Sequence, residues 1–202
     1  MRKTSEELVE YFDRLATEGY FADFEPWERT QAEGLLARMK IRPGWRILEP
    51  GCGRGRFSAL LADAVGSNGY VLAVDCSPQM IEFADSRRHP EWVEFRCADF
   101  PCDKMPMDRF NAIVCFNVFP HMADKDVVAR MAEMLVPDGP LYIAHSVSRE
   151  TVNRIHTNSF CPLLRSHLLP GDDELMELLE TAGFRVTEME SGDVFFCSAV
   201  PL

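Results

Sequence analysis

The sequence predicts an α/β fold: a doubly wound, mostly parallel seven-stranded sheet with helices on both faces and an antiparallel hairpin strand at the carboxyl end. Two observations lead to this prediction. Short apolar runs alternate with amphipathic helical stretches from residue 46 to residue 145, which is the order that builds a parallel sheet with right-handed crossovers. After a last helix, two strand-like stretches flank Gly192-Asp193, a tight-turn signal that joins antiparallel strands.

Composition sets the limits of this prediction. A chain of 202 residues with 47% hydrophobic content can bury one sizeable core, so residues 1–202 are expected to form a single domain. The formal net charge is −11 and no run of Lys and Arg is longer than Arg87-Arg88, so a nucleic acid partner is not expected. No stretch is apolar enough for a membrane span and the N-terminus is polar. We therefore expect a cytoplasmic protein with no membrane partner, and the oligomeric state is left open.

The cysteines indicate reduced thiols. Seven are present, an odd number, and none forms a C-x-x-C pair. This pattern argues against both a disulfide framework and a standard structural zinc site. Free cysteine packs as a small apolar side chain, so burial in the core is the expected role.

Residues 1–43 are predicted to form an N-terminal helical cap. Thr4-Ser5-Glu6-Glu7 has the capping-box pattern and opens an amphipathic helix with Leu8, Tyr11, Phe12 and Leu15 on one face. A second helix from about Trp27 to Lys40 ends before Pro43-Gly44. The connection between them contains Tyr20, Phe21 and Phe24, which either pack in the core or cover a ligand pocket.

A glycine-rich turn follows the first strand. Ile47 and Leu48 end that strand, and Gly51, Gly53 and Gly55 lead into a helix whose apolar face carries Phe57, Leu60, Leu61 and Ala64. Without a Cβ, glycine lets the chain bend sharply and lets a ligand lie against the backbone, near the N–H groups of the next helix. Dinucleotide loops have the spacing G-x-G-x-x-G, but here it is G-x-G-x-G after Glu49. A carboxylate at this strand end suits a cationic ligand better than a doubly anionic one.

This stretch resembles the first motif of the class I (Rossmann-like) S-adenosylmethionine-dependent methyltransferases, an acid followed by G-x-G-x-G. The resemblance implies that S-adenosylmethionine is the cofactor and S-adenosylhomocysteine the product. It also implies that the cofactor binds at Glu49, Gly51, Cys52, Gly53 and Gly55.

The second strand supports the same resemblance. Tyr70 to Asp75 is an apolar run that ends in an acid about 20 residues after Gly55, the position from which a carboxylate typically binds ribose hydroxyls. Ser77-Pro78 then predicts the start of a helix. The phrase Asp75-Cys76-Ser77-Pro78-Gln79-Met80 resembles the family's second motif. By that resemblance Asp75 holds the ribose, Met80 lies near the adenine, and Cys76 belongs to the same site.

Three more strands complete the parallel part of the sheet. The third runs from Trp92 to Asp99, the fourth from Arg109 to Asn117 after a turn at Pro106 and Asp108, and the fifth from Leu141 to His145. The helix between the last two carries Val127, Val128, Met131, Met134 and Leu135 on one face. The resemblance implies that Asp99 contacts the adenine amino group, that Phe100 also lies at the cofactor, and that Asn117 lines its methionine end. Asp138 and Pro140 stand where the family more often has glycine, a departure confined to a turn.

The carboxyl end completes the pattern. A helix from about Asp172 ends at Gly183, and strands at 184–191 and 194–200 follow it. A parallel sheet that ends in an antiparallel hairpin strand resembles the class I methyltransferases and differs from dinucleotide dehydrogenases. Residues 44–145 and 171–202 are thus the predicted cofactor-binding core. Residues 146–170 match no shared motif and start where ligands bind in open α/β sheets, so we predict that this segment is a lid over the substrate.

Two histidines are candidate catalytic groups. His121 follows the fourth strand and His145 ends the fifth, so both are expected near the transferred methyl group, where an imidazole could take a proton or contact substrate. A lone histidine is more often a structural hydrogen-bonding residue, so that role stays open for each of them. His145, His156, His167 and Cys161 match no standard metal spacing, so no metal is expected.

The predicted function is therefore methyl transfer from S-adenosylmethionine to an unidentified small molecule by in-line displacement. One alternative is a non-catalytic cofactor-binding or regulatory protein on the same fold. An NAD-dependent oxidoreductase is a weaker alternative, because the loop spacing and the hairpin disfavour it.

Overall fold

The computed structural model describes residues 4–105 and 109–202, so the turn predicted at Pro106 and Asp108 lies outside the described residues. The strands are β1 (Arg46–Pro50), β2 (Tyr70–Asp75), β3 (Val93–Cys97), β4 (Ala112–Phe116), β5 (Leu141–His145), β6 (Phe184–Ser191) and β7 (Phe195–Pro201). The helices are α1 (Glu6–Thr17), α2 (Pro26–Met39), α3 (Arg56–Val65), α4 (Pro78–Asp85), α5 (Lys125–Met134), α6 (Arg149–Thr157) and α7 (Asp172–Thr181). Short 3₁₀ turns occur at Phe119–His121 and Pro162–Ser166.

The seven strands form one sheet in the order β3-β2-β1-β4-β5-β7-β6. The first five run parallel, while β7 is antiparallel to both β5 and β6. The predicted fold class is confirmed, including the antiparallel strand of the carboxyl-terminal hairpin. The strand order reverses at β1 and β4, so the carboxyl ends of these central strands border the crevice in which ligands bind in such sheets.

Helices cover both faces of the sheet, because the central strands are apolar on both sides. Along the central strands, successive side chains point to opposite faces of the sheet and belong to two separate apolar clusters. Leu48 and Ile113 belong to one cluster, and Ile47 and Val114 belong to the other. Buried side chains of α5 and α7 complete the first cluster, and those of α2 and α3 complete the second. All five residues of β4 and of β5 are buried, as expected for strands covered on both faces.

The N-terminal helices follow the sequence prediction except at their first cap. Ser5, and not Thr4, is the N-cap of α1, and its side chain accepts a hydrogen bond from the N–H of Leu8 at 3.3 Å. The capping box suggested by the sequence does not form, because the Thr4 side chain bonds to Asp99. In the described ranges, no helix combines the length and the apolar character needed to cross a membrane.

Candidate cofactor and substrate site

One cavity of about 810 Å³ opens at the carboxyl ends of the central parallel strands. Of the residues predicted for the site, all but Gly55 line it: Glu49, Gly51, Cys52, Gly53, Asp75, Cys76, Met80, Asp99, Phe100, Asn117, His121 and His145. The fold thus gathers residues that are up to about a hundred positions apart in the sequence. One end of the cavity is the glycine loop, and the other is formed by His121, His145 and the 146–170 segment.

Glu49 is a buried acid at the end of β1. Its side chain is 2% exposed, and Ser58 of α3 donates a hydrogen bond to its Oε2 at 2.5 Å. Burial raises the pKa of Glu49 to about 8; the hydrogen bond from Ser58 opposes the rise and the charge of Asp75 adds to it. At neutral pH the carboxyl group is mostly protonated until a positive charge comes near. Glu49 can therefore respond to a cationic ligand.

The glycine loop presents its backbone to the cavity. Gly51 has φ +73°, and a Cβ there would overlap the side chain of Val118, so only glycine fits. Gly53 has φ +54°, and a Cβ there would meet only the Met80 sulfur, at 3.9 Å. The space in front of Gly53 is therefore open to a ligand. Cys52 is buried in the loop, and Gly55 is the N-cap of α3.

Asp75 organises the loop as well as facing the cavity. Its Oδ2 accepts a hydrogen bond from the N–H of Gly53 and its Oδ1 accepts one from the N–H of Ser77, both at 2.9 Å. Burial raises the pKa of Asp75, and these two hydrogen bonds act against the rise. A carboxylate has about four acceptor positions, so each oxygen retains capacity for a ligand hydroxyl.

The start of α4 is held by α1. Ser77 is the N-cap of α4 and accepts a hydrogen bond from the N–H of Met80 at 3.1 Å, as the Ser-Pro signal predicts. Asp13 of α1 accepts hydrogen bonds from the Ser77 hydroxyl and from the N–H of Gln79. A carboxylate at a helix N-terminus is favourable, so Asp13 fastens the N-terminal helix beside the Asp75 end of the cavity.

Asp99 is already bonded to the N-terminal segment. The N–H of Thr4 donates to its Oδ2 at 2.9 Å, and the Thr4 hydroxyl donates to its Oδ1 at 2.7 Å. Asp99 is 7% exposed and lies beside the buried ring of Phe100. Any ligand group that needs both Asp99 oxygens must share them with Thr4 or displace it.

Asn117 links the ends of β4 and β5. Its Oδ1 accepts a hydrogen bond from the N–H of Ser146 at 2.9 Å, and its Nδ2 donates to the Ser146 hydroxyl at 3.1 Å. Its φ is +55°, a left-handed conformation that asparagine tolerates better than most residues. The side-chain amide is thus used to fix the backbone at the strand ends.

Three imidazoles are connected at the other end of the cavity. His121 Nδ1 lies 2.8 Å from His167 Nδ1, so one of these nitrogens donates and the other accepts. His156 Nδ1 lies in hydrogen-bonding contact with the carbonyl oxygen of His167, which only an N–H can satisfy. The ring of Phe12 packs edge-on against His121 at a centroid distance of 5.5 Å.

His121 and His145 are neutral at physiological pH. Burial lowers the pKa of His121 to about 3, and repulsion from the three other imidazoles acts in the same direction. Burial also lowers the pKa of His145 to about 3, with a smaller contribution from His156. His145 is 2% exposed, and its Nε2 has no hydrogen-bond partner among the described residues. Neutral imidazoles can accept a hydrogen bond at their unprotonated nitrogen and do not bind anions by charge.

Tertiary structure adds residues that sequence reasoning missed. Thr4 lines the cavity and bonds to Asp99, whereas Asp13 bonds to the N-terminus of α4 beside the cavity, and no local pattern marks either residue for that role. The pairing of His121 with His167 joins residues 46 positions apart. Of the aromatic residues in the α1–α2 connection, Phe21 and Phe24 line the cavity, whereas Tyr20 is 55% exposed. Within residues 4–105 and 109–202, no group of three or more His, Cys, Asp or Glu is arranged to hold a metal ion.

The described residues fit the cofactor implied by the motifs. The open backbone at Gly53, the protonatable Glu49 and the carboxylates of Asp75 and Asp99 all line one continuous cavity. A molecule with a cationic end, ribose hydroxyls and an adenine amino group has a matching group for each of these features.

Comparisons with known proteins point in the same direction. A family model described as a methyltransferase domain matches residues 47–139. The methyltransferase GfsG of Streptomyces halstedii is 33% identical over 165 residues, which cover 78% of this chain and 59% of GfsG. The O-methyltransferase cnsE of Penicillium expansum is 28% identical over 204 residues, which cover 93% of this chain and 71% of cnsE. The chain thus spans about three fifths of the length of GfsG.

A solved structure shows the same fold. The N-methyltransferase NodS from Bradyrhizobium japonicum WM9, in complex with S-adenosyl-L-homocysteine, superposes with a TM-score of 0.72 at 19% identity. The match covers 96% of this chain and 97% of NodS.

Proposed function

Because this chain belongs to the class I S-adenosylmethionine-dependent methyltransferases, we propose that it transfers a methyl group from S-adenosylmethionine to a small molecule by in-line displacement. The observation that carries the proposal is one continuous cavity, in which the acid and glycine loop at one end face a group of imidazoles at the other, among them the neutral His121 and His145. We call the glycine-loop end of the cavity the cofactor half and the imidazole end the acceptor half. The two halves would meet near the ends of β4 and β5.

Five residues would hold the cofactor. The glycine backbone at Gly51 and Gly53 admits it, Asp75 accepts hydrogen bonds from its ribose, Asp99 accepts one from its adenine, and Glu49 balances its positive charge. When bound, S-adenosylmethionine supplies a methyl group activated by a sulfonium. The contribution of the chain is to position the acceptor and to exclude water, which together provide much of the rate.

Two segments would enclose the reaction. Residues 1–43 would form a cap on the cofactor half, supported by the contacts of Thr4 and Asp13. Residues 146–170 would form the lid on the acceptor half, where His156, Leu164 and His167 line the cavity. His121 and His145, which are neutral and lie at the same end, would accept a proton from the acceptor or orient it.

We propose that the reaction takes place in the cytoplasm. All seven cysteines are free in the structure, and reducing compartments keep such thiols from pairing. The strongly negative net charge supports a small-molecule acceptor and not a nucleic acid.

The first experiment tests which cofactor the protein binds. Thermal unfolding would be followed with S-adenosylmethionine, S-adenosylhomocysteine and NAD, because a ligand at 100 times its Kd stabilises by about 2.7 kcal/mol. We expect stabilisation by the first two and none by NAD. Asp75→Ala should weaken S-adenosylhomocysteine binding by about 2–3 kcal/mol, since it removes a charged acceptor and frees the loop. Asp63→Ala, a matched change at an exposed position on α3, should leave binding unaltered.

Catalysis is tested separately. Incubation with methyl-labelled S-adenosylmethionine and a metabolite extract should transfer label to a small molecule and release S-adenosylhomocysteine. Tight cofactor binding without labelled product from any extract would favour a non-catalytic binding protein. Stabilisation by NAD alone would refute the proposal.

A further inference from the structure

The acceptor half of the cavity has an unusual charge distribution. Four of the five histidines of the chain line it, at positions 121, 145, 156 and 167. The cationic lining residues among those described are Arg54 and Arg56, which both belong to the glycine-loop end. Arg56 is bonded to Glu28 at 2.8 Å, and Arg54 donates to the carbonyl of Ala16 at 3.2 Å. The imidazole end therefore has no Lys or Arg in its described lining to bind an anion.

The acidic residue at this end of the cavity, Asp124, already accepts hydrogen bonds from the backbone. Asp124 is the N-cap of α5, and its Oδ1 accepts hydrogen bonds from the N–H groups of Asp126 and Val127 at 2.9 and 3.2 Å. One oxygen of this carboxylate is therefore committed to a helix terminus, and an ammonium group would have to share Asp124 with that terminus. The remaining lining at this end is mostly apolar: Phe12, Met122, Val147, Val152, Ile155, Leu163, Leu164 and Leu168.

The hydrogen bonds among the imidazoles leave proton acceptors. In the tautomer in which His121 Nδ1 donates to His167 Nδ1, the Nε2 of His121 carries no proton and can accept one. His156 donates from Nδ1 to the His167 carbonyl, which leaves its own Nε2 as the acceptor in the neutral ring. His145 adds a buried Nε2 that has no partner among the described residues. This end of the cavity thus offers imidazole nitrogens of His121 and His156 as acceptors for an O–H group, and its described lining contains no Lys or Arg.

Resting on the proposed function, we propose that the methyl acceptor is a weakly acidic hydroxyl group, phenolic or enolic, on an apolar molecule, and that the His121–His167 pair receives its proton. The oxygen's electron pair forms the bond to the methyl carbon, and the pair of the breaking carbon–sulfur bond stays on sulfur. The hydroxyl proton moves to an imidazole nitrogen, which later releases it to water.

The alternatives fit the site less well. A carboxylate acceptor would arrive as an anion at an end without Lys or Arg in its described lining, and an ammonium acceptor would have to share Asp124 with a helix terminus. A phenol or enol binds as a neutral molecule, so it enters an apolar pocket without the cost of burying a charge. As its proton leaves, the growing negative charge stabilises the imidazolium that forms beside it. His167 would be a positioning residue that orients His121 and shares the proton.

The test compares three probes of similar size by calorimetry, on protein saturated with S-adenosylhomocysteine at pH 7.5. They are 4-butylphenol, its methyl ether 4-butylanisole, and 4-butylbenzylamine. We expect 4-butylphenol to bind at least tenfold more tightly than either of the other two. His121→Phe and His167→Phe should each reduce this preference to less than threefold. His167→Gln, whose amide can still pair with His121, should retain more of the preference than His167→Phe.

The matched control is His89→Phe, the same change at the one histidine outside the cavity lining, which packs against Phe95. It should keep the full preference for the phenol. Equal or tighter binding of the amine, or a phenol preference that survives His121→Phe, would overturn the inference. S-adenosylhomocysteine binding is measured first on each protein. Its absence in the unaltered protein would refute the proposed function, whereas its presence with no phenol preference would refute only the choice of acceptor.

Discussion

Thr4 donates two hydrogen bonds to the carboxylate of Asp99, one from its backbone N–H at 2.9 Å and one from its hydroxyl at 2.7 Å. Asp99 is the acid that the sequence motifs assign to the adenine amino group. Thr4, the first described residue of the chain, would therefore compete for this acid with a cofactor bound in that way. The same contact explains why Ser5 and not Thr4 caps α1.

Thr4→Val should tighten S-adenosylhomocysteine binding. The change removes the hydroxyl donor to Asp99 but keeps the shape of the side chain, and a hydrogen bond of this kind contributes about 1 kcal/mol net. We expect an affinity increase of about fivefold, measured by calorimetry. Thr17→Val is the matched control, because its hydroxyl donates to the Arg14 carbonyl at the far end of α1. Weaker binding by Thr4→Val would mean that Thr4 stays in place and supports the adenine site.

Glu49 should release a proton when a cationic ligand binds. Its pKa is raised to about 8 in the free protein, chiefly by burial, so it is mostly protonated at pH 7. The positive charge of S-adenosylmethionine favours the carboxylate and lowers this pKa. Calorimetry at pH 7 in phosphate and in Tris should therefore show proton release, which Glu49→Gln should abolish. Glu28→Gln, at the cavity edge beside Arg56, should retain it. Equal release by the Glu49 variant would assign the proton to another group.

His145 should make the folded protein sensitive to acid. Its pKa is about 3 when folded, below the ordinary 6.5, so the unfolded chain binds the extra proton between these values. The free energy of unfolding should thus rise with pH from about 3 to 6.5 through this residue. His145→Gln should reduce the slope between pH 4 and 6 by about 1.4 kcal/mol per pH unit.

Chemical denaturation at pH 4, 5 and 6 gives that slope. Phe195→Leu changes the ring packed near His145, at a centroid distance of 6.3 Å, without changing any ionisable group. It should lower stability by a similar amount at every pH. Identical slopes for the unaltered protein and His145→Gln would show that His145 titrates normally in the folded state.

The 146–170 segment should be mobile in its middle and fixed at its ends. Val152 and Leu169 are buried in the core, and Asn153 forms two hydrogen bonds with the Leu169 backbone, at 2.8 and 3.0 Å. In contrast, Phe160 is 99% exposed. Hydrogen exchange should be fast in the middle of the segment, around Phe160, in the free protein and should slow when S-adenosylhomocysteine and 4-butylphenol are both present.

The reference for this measurement is β4, whose residues are all buried. Asn153→Ala should accelerate exchange in 150–168 without changing β4, because it removes the contacts that fasten the segment. If the segment is as protected as β4 in the free protein, it is a packed element. Substrate choice would then rest with the N-terminal aromatic residues, of which Phe21 and Phe24 line the cavity.

The sequence by itself was sufficient to predict the fold and to propose residues for a cofactor site. Apolar runs separated by helical periodicity identified the strands, and Gly192-Asp193 identified the hairpin that makes β7 antiparallel. Glu49 and Asp75 were found because each ends a strand beside the glycine loop. Such signals are local, since a turn, a cap or a strand end depends on a few neighbouring residues.

Only the tertiary structure decided which distant side chains meet. Thr4 reaches Asp99 across 95 positions, and His121 reaches His167 across 46, through packing that no local pattern encodes. The protonation states follow from the same packing, because burial among apolar walls lowers the pKa of His121 and raises that of Glu49. A pair of histidines in the sequence indicates only that imidazoles are available, whereas burial keeps His121 in the neutral form and packing brings it within hydrogen-bonding distance of His167.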